Sequence, residues 1–392
     1  MDIGEILKKM AEMNASDLHI KVGRPPCFRK DGVLIVLDLP DLSSSEAEDL
    51  AIQIIPARLI DDFKRFKELD FSFGLNGVGR FRTNIFRERG FVGMAMRRVV
   101  SKVPSMTELG LPKGLEDLAE KVRGLVLVTG TAGSGKSTTL AAMIDHINHT
   151  RSSHIVTIED PIEVIHSDDK SIINQREIGI DSVSYEEALK NVVRQDPDVI
   201  LIGEMRDIVT VQAALTAAEM GMLVLSTIHT IDAAETINRI IDFFPPYQQE
   251  QIRLMLASTL NGIVSQRLIP RLGGGLVPAI EVLVATGTVK ELISENNISG
   301  LKEAIEDGDY YGMQSFEQHL IELYKDEQVS LEDAIAMAHN AHDFKLKLRQ
   351  MGLDDGTKDR FEAENCDEDK DQDFDQLASS AQVGSGYLTN ER

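Results

Sequence analysis

Hydrophobic positions in the first hundred residues follow first a helical and then a strand-like period. Residues 1–14 place five apolar side chains on one helical face: Ile3, Ile6, Leu7, Met10 and Met13. Alternating runs punctuated by glycine and proline follow, and they predict strands joined by hairpins. Ser43 and Glu46 have capping-box spacing, which predicts a helix over 44–55. We therefore expect a small α+β domain over 1–100, followed by a linker over 101–123.

Apolar runs without polar alternation begin at residue 124. Runs of this kind are typical of parallel strands that are covered on both faces, and they cover 124–129, 155–158, 199–202 and 222–226. Helical patterns lie between them, one after Ser184 and one between Asp207 and Gly221. The alternation of strand and helix predicts an α/β domain with a parallel sheet over 124–270.

From Pro245 onward the pattern is mostly helical. One face of the predicted helix carries Ile252, Met255, Leu256, Leu260, Ile263 and Val264. Ser330 and Asp333 have the spacing of a cap for a later helix. We expect a mostly helical part over 271–352. Residues 353–392 are acidic and poor in large apolar groups, which predicts a disordered tail.

Composition and charge exclude several classes of protein. The chain has 392 residues and a formal charge of −23, and we expect no nucleic-acid partner because such a chain lacks a basic surface. Its two cysteines, Cys27 and Cys366, lie far apart and cannot form a disulfide framework, so a reducing compartment is expected. The first residues lack a signal-peptide pattern, and no apolar run approaches the roughly 18 residues of a membrane-spanning helix.

A glycine-rich segment follows the first buried strand and fits the P-loop pattern of Gly, four residues, Gly-Lys-Ser. Glycines allow several backbone N–H groups to point at a polyphosphate, the lysine adds positive charge, and the serine hydroxyl is a ligand for Mg²⁺. The segment predicts binding of ATP and Mg²⁺, with Ser137 on the metal. The predicted nucleotide-binding residues are Gly130, Thr131, Ala132, Gly133, Ser134, Gly135, Lys136, Ser137 and Thr138.

Polar residues follow three other buried strands. Glu204 ends the strand over 199–202, where an acid that holds Mg²⁺ or orders water is expected. Three acids lie in Glu159-Asp-Pro-Ile-Glu163, and one of them could polarise an attacking water; His229 follows the fourth strand. Ligands bind at the carboxyl ends of parallel strands, so we expect these groups to converge. No Asn-Lys-x-Asp motif occurs, which disfavours a GTPase.

Arginines form a second constellation in the first domain, far from the P-loop in sequence. They lie in strand-like segments and are Arg80, Arg82, Arg87, Arg97 and Arg98. One interpretation is that these arginines are only exposed charges on strands. The functional interpretation is that they contact an anion at a domain or subunit boundary, where arginine stabilises charge on a γ-phosphate.

In combination these motifs resemble the type IV pilus retraction ATPases, the PilT/PilU family of secretion ATPases, over about residues 1–350. The motifs that carry the resemblance include Ser16-Asp-Leu-His19, the P-loop, Thr157-Ile-Glu-Asp-Pro-Ile-Glu163, the run Asp196–Asp207, and Thr227-Ile-His229-Thr. The resemblance implies a PAS-like N-terminal domain, a RecA-like P-loop ATPase domain and a homo-hexamer. It implies Glu163 as general base, Glu204 as the Walker B acid, directly or through water on Mg²⁺, and catalytic roles for His229, Arg82 and Arg97.

Within this family the chain is more similar to the PilU side. The C-terminal helices carry Thr288-Val-Lys-Glu-Leu-Ile-Ser-Glu295 in place of the family's Ala-Ile-Arg-Asn-Leu-Ile-Arg-Glu run. Pilus assembly and type II secretion ATPases usually carry a four-cysteine zinc site, and two isolated cysteines argue against that branch. The acidic tail lies outside the resemblance.

The expected function is therefore a cytoplasmic, hexameric ATP-hydrolysing motor for pilus retraction, peripheral at the inner membrane. The resemblance implies an inner-membrane pilus platform protein as partner and, for an accessory motor, a paralogous retraction ATPase. Three alternatives stay open: a pilus assembly or type II secretion ATPase, a RecA-like nucleic-acid translocase, and a ring subunit that binds ATP without hydrolysing it.

Overall fold

The computed structural model describes residues 1–99 and 103–353. Residues 1–334 belong to one compact unit, and the described residues after 334 belong to a second. The tail predicted to be disordered lies outside the described residues except for Leu353, and so does the beginning of the predicted linker. Within the described ranges, no helix is both long and apolar enough to cross a bilayer.

The N-terminal part is an antiparallel sheet of six strands in the order β3-β2-β1-β6-β5-β4. Helix α1 packs Ile6, Leu7 and Met10 into its core, as the helical period predicts. The Ser43–Glu46 capping box is present at the start of α2. The elements are α1 (Ile3–Glu12), β1 (Asp17–Ile20), β2 (Cys27–Lys30), β3 (Val33–Val36), α2 (Ser44–Ile52), α3 (Ile60–Phe66), β4 (Glu68–Leu75), β5 (Gly79–Glu88) and β6 (Phe91–Arg98).

The second sheet has seven strands in the order β13-β12-β7-β11-β10-β8-β9. Its six strands from β12 to β9 are parallel, and β13 pairs antiparallel with β12 at the edge. The four predicted apolar runs become β7, β8, β10 and β11, which confirms an α/β fold with a parallel sheet. The elements up to this sheet's last parallel strand are α4 (Gly114–Ala119), β7 (Gly124–Thr129), α5 (Lys136–Thr150), β8 (His154–Glu159), β9 (Ile172–Glu177), α6 (Tyr185–Val192), β10 (Val199–Ile202), α7 (Ile208–Glu219), β11 (Leu223–Ile228), α8 (Ala233–Asp242), α9 (Pro246–Thr259) and β12 (Leu260–Pro270).

The predicted helix through Leu260, Ile263 and Val264 is wrong. Helix α9 ends at Thr259, and β12 begins at Leu260. The three apolar side chains are buried because β12 lies inside the sheet, between β7 and β13. The sheet therefore continues across the predicted domain boundary after residue 270.

Helices dominate the chain after the last strand. Ser330 caps α13: its hydroxyl accepts from Asp333 N at 3.0 Å and donates to the Asp333 carboxylate at 2.6 Å. Asn340 caps α14, in the second compact unit. The remaining elements are β13 (Leu276–Val284), α10 (Gly287–Ser294), α11 (Leu301–Glu306), α12 (Phe316–Lys325), α13 (Leu331–Met337) and α14 (Ala341–Gln350).

A buried carboxyl group on β13 joins three elements of the large sheet to a helix. Glu281 Oε1 accepts from Ala233 N, at the start of α8, at 2.8 Å, and from Ser265 Oγ on β12 at 3.4 Å. Ser265 in turn accepts from Thr129 Oγ1, at the end of β7, at 3.1 Å. Burial raises the pKa of Glu281 to about 7, although the hydrogen bond from Ala233 opposes the shift. The proton is therefore held more tightly in the folded chain than in the unfolded one.

We expect Glu281→Gln to raise the free energy of unfolding, relative to the wild type, more at high pH than at low pH. Between the ordinary glutamate pKa and about 7, the unfolded chain releases a proton that the folded chain keeps, so wild-type stability falls through this window. The difference in unfolding free energy between variant and wild type should grow by about 2.5 kcal/mol from pH 5 to pH 8, because one pKa unit is worth about 1.4 kcal/mol and part of the effect is already present at pH 5. Urea unfolding at both pH values measures it, with Glu250→Gln on the exposed side of α9 as control. A difference that does not change with pH contradicts this account.

Candidate active site

The carboxyl ends of four neighbouring parallel strands meet at one edge of the large sheet. Residues in β8, β10, β11 and β7 pair in register along Ile158, Ile202, Ser226 and Leu127. The segments that follow these strands carry the predicted acids, His229 and the P-loop. Parallel pairing therefore brings together residues that are up to a hundred positions apart in sequence.

The P-loop conformation depends on glycine at two positions. Gly130 and Gly135 have φ values of 144° and 90°. A Cβ on Gly130 would lie 2.4 Å from the carbonyl oxygen of Gln266, and one on Gly135 would lie 2.7 Å from Gln266 Nε2. The loop can turn into α5 only because both positions lack a side chain. Helix α5 begins at Lys136, so its N-terminal N–H groups face the loop.

Two side chains of the loop can bind an anionic ligand. Lys136 Nζ donates to the carbonyl oxygens of Gly130 and Thr131, each at 2.8 Å. Burial lowers the pKa of Lys136, and the charges of Glu204 and Glu163 oppose that shift. Ser134 Oγ is buried and has no hydrogen-bond partner. A buried loop with a lysine, an unpartnered hydroxyl and helical N–H groups fits a polyphosphate.

Glu204 lies at the end of β10 with two basic neighbours. Arg206 pairs with Glu204 Oε1, and His229 Nε2 lies 3.5 Å from Glu204 Oε2. The segment is fixed to β11, because Met205 N donates to Thr227 O at 3.0 Å and Thr227 Oγ1 donates to Gly203 O at 2.8 Å. The structure thus brings together two of the predicted residues, Glu204 and His229, at ion-pair distance.

The loop after β8 separates a buried acid from an exposed one. Burial raises the pKa of Glu159, while hydrogen bonds from Thr157 Oγ1 at 2.6 Å and Gln175 Nε2 at 3.2 Å hold it down. The Asp160–Pro161 peptide bond is cis, and the chain then turns to Glu163, whose side chain is exposed. Of the three acids in this loop, Asp160 and Glu163 are exposed and line the cleft, whereas Glu159 is only partly exposed.

All four segments line one cleft of about 560 Å³. Seven of the predicted nucleotide-binding residues, Ala132 to Thr138, line it with Glu163, Glu204 and His229. Gly130 is buried beneath the cleft, and its carbonyl oxygen is bonded to Lys136. Ser137 and Glu204 both face the same space and supply the oxygen atoms that Mg²⁺ prefers.

Arg82 and Arg97 do not line this cleft. They are opposite each other on β5 and β6, and Arg97 Nε donates to Asp17 Oδ1 at 2.8 Å. Arg82 is also opposite Ser72 on β4, and Ser72 Oγ donates to Glu177 of the large sheet at 2.7 Å. Directly opposite residues share one face of an antiparallel sheet. Both arginines therefore lie on the face of the N-terminal sheet that contacts the large sheet.

Three further residues of the site are not predicted from the sequence. Arg206 pairs with Glu204 and could have been proposed from its place two residues after that acid. Gln266, on the unpredicted β12, accepts from Thr139 Oγ1 at 2.8 Å and packs behind the P-loop. Tyr185 lines the cleft, and burial together with the charge of Asp160 raises its pKa. No local sequence signal marks Gln266 or Tyr185.

Comparison with known proteins places the chain in a family. Residues 81–357 match the type II/IV secretion system protein family. The chain is 44% identical to the type IV pilus retraction ATPase PilT of Pseudomonas aeruginosa over 334 residues, which is 85% of this chain and 97% of that protein. It is 39% identical to the type IV pilus ATPase PilU of the same organism over 350 residues, 89% of this chain and 92% of that protein.

A solved structure agrees with the sequence relatives. The crystal structure of the pilus retraction motor PilT with bound ADP superposes with a TM-score of 0.82 at 45% identity, and covers 88% of this chain and 98% of that one. Identity is higher to PilT and the alignment is longer with PilU, so the PilU-like assignment stays a prediction. The predicted resemblance itself is confirmed: the chain belongs to the type II/IV secretion system protein family and, within it, to the type IV pilus retraction ATPases.

Proposed function

We propose that the chain hydrolyses MgATP and uses the energy to retract type IV pili. The observation that carries the proposal is the convergence of Lys136, Glu163, Glu204 and His229 on one cleft, in a chain that is similar to retraction ATPases over most of its length. The identity to PilT over nearly the whole of that protein supports the cellular role.

The P-loop would hold the phosphates of ATP. Its N–H groups and the start of α5 supply the positive end of a helix, and Lys136 would exchange its two carbonyl contacts for phosphate oxygens. Ser137 and Glu204 would hold Mg²⁺, directly or through water. When bound, the ion would neutralise charge that develops on the β- and γ-phosphates.

Glu163 would act as the general base. Its exposed carboxylate lies in the same cleft as Lys136, so it can orient a water molecule and accept its proton. The water oxygen forms a bond to the γ-phosphorus while the bond from that phosphorus to the β–γ bridging oxygen breaks, and ADP and phosphate leave. His229 lies beside Glu204 and would sense or stabilise negative charge on the γ-phosphate.

The arginines would complete the site from a neighbouring surface. Arg82 and Arg97 share the sheet face that contacts the large sheet, and we assign them to nucleotide contact across a domain or subunit boundary. In this proposal residues 1–100 are PAS-like, residues 124–270 are the RecA-like core, and six copies form a ring. Nucleotide state would then change the angle between the domains, the two-state element that a motor requires.

In the cell the ring would act at the cytoplasmic side of the inner membrane. The pilus platform protein would receive the motion. The differences from the family in 288–295 favour a PilU-like accessory motor that works with a paralogous retraction ATPase.

Lys136→Ala should abolish both nucleotide binding and turnover. The variant removes the only positive side chain of the P-loop segment, so the phosphates lose a charge-assisted contact. Phosphate release from MgATP and binding of a fluorescent ATP analogue measure the two losses. Turnover at the wild-type rate would contradict the assignment of the phosphate site.

Glu163→Gln should reduce kcat by at least a hundredfold while ATP binding persists. An amide of the same shape can position water but cannot accept its proton, and general-base catalysis is worth roughly 10²–10⁴-fold. The matched control is Glu219→Gln, which neutralises an exposed acid at the end of α7 and should leave kcat unchanged. Hydrolysis by Glu163→Gln at the wild-type rate would show that another group is the base.

A further inference from the structure

We propose that Glu177 is a positioning residue that holds the Glu163 loop against the N-terminal sheet, so that hydrolysis depends on the contact between the two sheets. This inference rests on the proposed function, because it assigns Glu177 a role in placing the base of that reaction. Glu177 lines no part of the nucleotide cleft, and its effect would pass through its hydrogen bonds.

On one side the Glu177 carboxylate binds two strands of the N-terminal sheet. Glu177 is the last residue of β9, and only 4% of it is exposed. Its Oε1 accepts from Ser72 Oγ on β4 at 2.7 Å. Its Oε2 accepts from an Arg80 guanidinium nitrogen on β5 at 2.8 Å. Ser72 and Arg80 lie 105 and 97 positions before Glu177 in the chain, so the contact is wholly tertiary.

On the other side the same carboxylate binds the catalytic loop. Glu177 Oε2 also accepts from Ile162 N at 3.3 Å, and Ile162 immediately precedes Glu163. The backbone reinforces this contact, because Glu159 and Glu177 pair in register and Ile178 N donates to Glu159 O at 2.9 Å. One oxygen atom therefore joins Arg80 of the N-terminal sheet to the backbone beside the base.

The chemistry of this position requires an ionised carboxylate. A buried charge is stable only when it is paired and its oxygens accept hydrogen bonds, and here one guanidinium, one hydroxyl and one backbone N–H supply the partners. An amide of the same shape keeps acceptor capacity on one atom and places two N–H donors where the carboxylate has acceptors. Glu177→Gln would thus weaken the contact on at least one side.

The contact between Arg80 and Glu177 also affects the position of Arg82. Arg80 and Arg82 are two residues apart on β5, so they lie on the same face of the strand. Holding Arg80 on Glu177 therefore also fixes where β5 presents Arg82. A movement of the N-terminal sheet would shift the proposed phosphate arginine and the Glu163 loop together.

The test is steady-state hydrolysis of MgATP by the full chain and by Arg80→Ala and Glu177→Gln. We expect kcat to fall at least tenfold in each, since a small misplacement of a catalytic group costs up to about a hundredfold, while KM and the Kd of a fluorescent ATP analogue change less than twofold. Because both variants break one contact, the double variant should be no slower than the slower single one. Arg80→Lys keeps a donor and a charge and should recover a large part of kcat.

The matched control is Glu88→Gln. Glu88 is the last residue of the strand that carries Arg80, and it pairs at 3.0 Å with Lys21 where both side chains are partly exposed; its loss should leave kcat unchanged. Should Glu177→Gln fail to fold, Ser72→Ala and Arg80→Ala test the same contact from the N-terminal side.

Unchanged kcat in Arg80→Ala, or a rise in KM at constant kcat, would overturn the positioning role. A wild-type chain that does not hydrolyse MgATP would instead overturn the proposed function, and the inference with it. The two failures are therefore distinguishable in one set of assays.

Discussion

The site depends on the parallel pairing of four central strands. Because β8, β10, β11 and β7 run in the same direction and pair in register, their carboxyl ends share one edge. The segments that follow these strands bring the P-loop, Glu163, Glu204 and His229 to that edge. The strands themselves are apolar and buried, so the sheet is stabilised by the hydrophobic effect and the loops are free to carry charge. Hydrogen bonds such as Thr227 Oγ1 to Gly203 O then fix one loop to the next.

Charged groups are buried only where partners compensate them. Lys136 is held by two carbonyl oxygens and lies in the field of two acids. Glu177 is held by three donors from three segments. At Glu177 the contact between the sheets is made by hydrogen bonds to a carboxylate; such contacts are directional, and they can be broken and remade when a motor changes state.

The sequence predicts the parts of the fold that local physics determines. Continuous apolar runs located β7, β8, β10 and β11, and the spacing of Ser43 and Glu46 located α2. The prediction from sequence fails where contacts with distant segments determine the secondary structure. Leu260, Ile263 and Val264 fit a helical face, but they lie in β12. Strand β9 begins with Ile172 and Ile173 and is polar from Asn174 onward, and Gln175 and Glu177 make hydrogen bonds with groups in other segments. Glu163, Glu204 and His229 are predicted because they follow buried strands, whereas Tyr185 in the cleft and Gln266 behind the P-loop lie on elements whose local sequence gives no sign of a site.

The most direct test of the central claim is to delete the gene for this chain and record labelled pili on living cells. If the chain is a retraction motor, whether primary or accessory, cells that lack it should still extend pili but shorten them less often, more slowly or only without load. Cells without surface pili would contradict the account, because the chain would then be required for assembly. Pili that retract normally under load would contradict it as well.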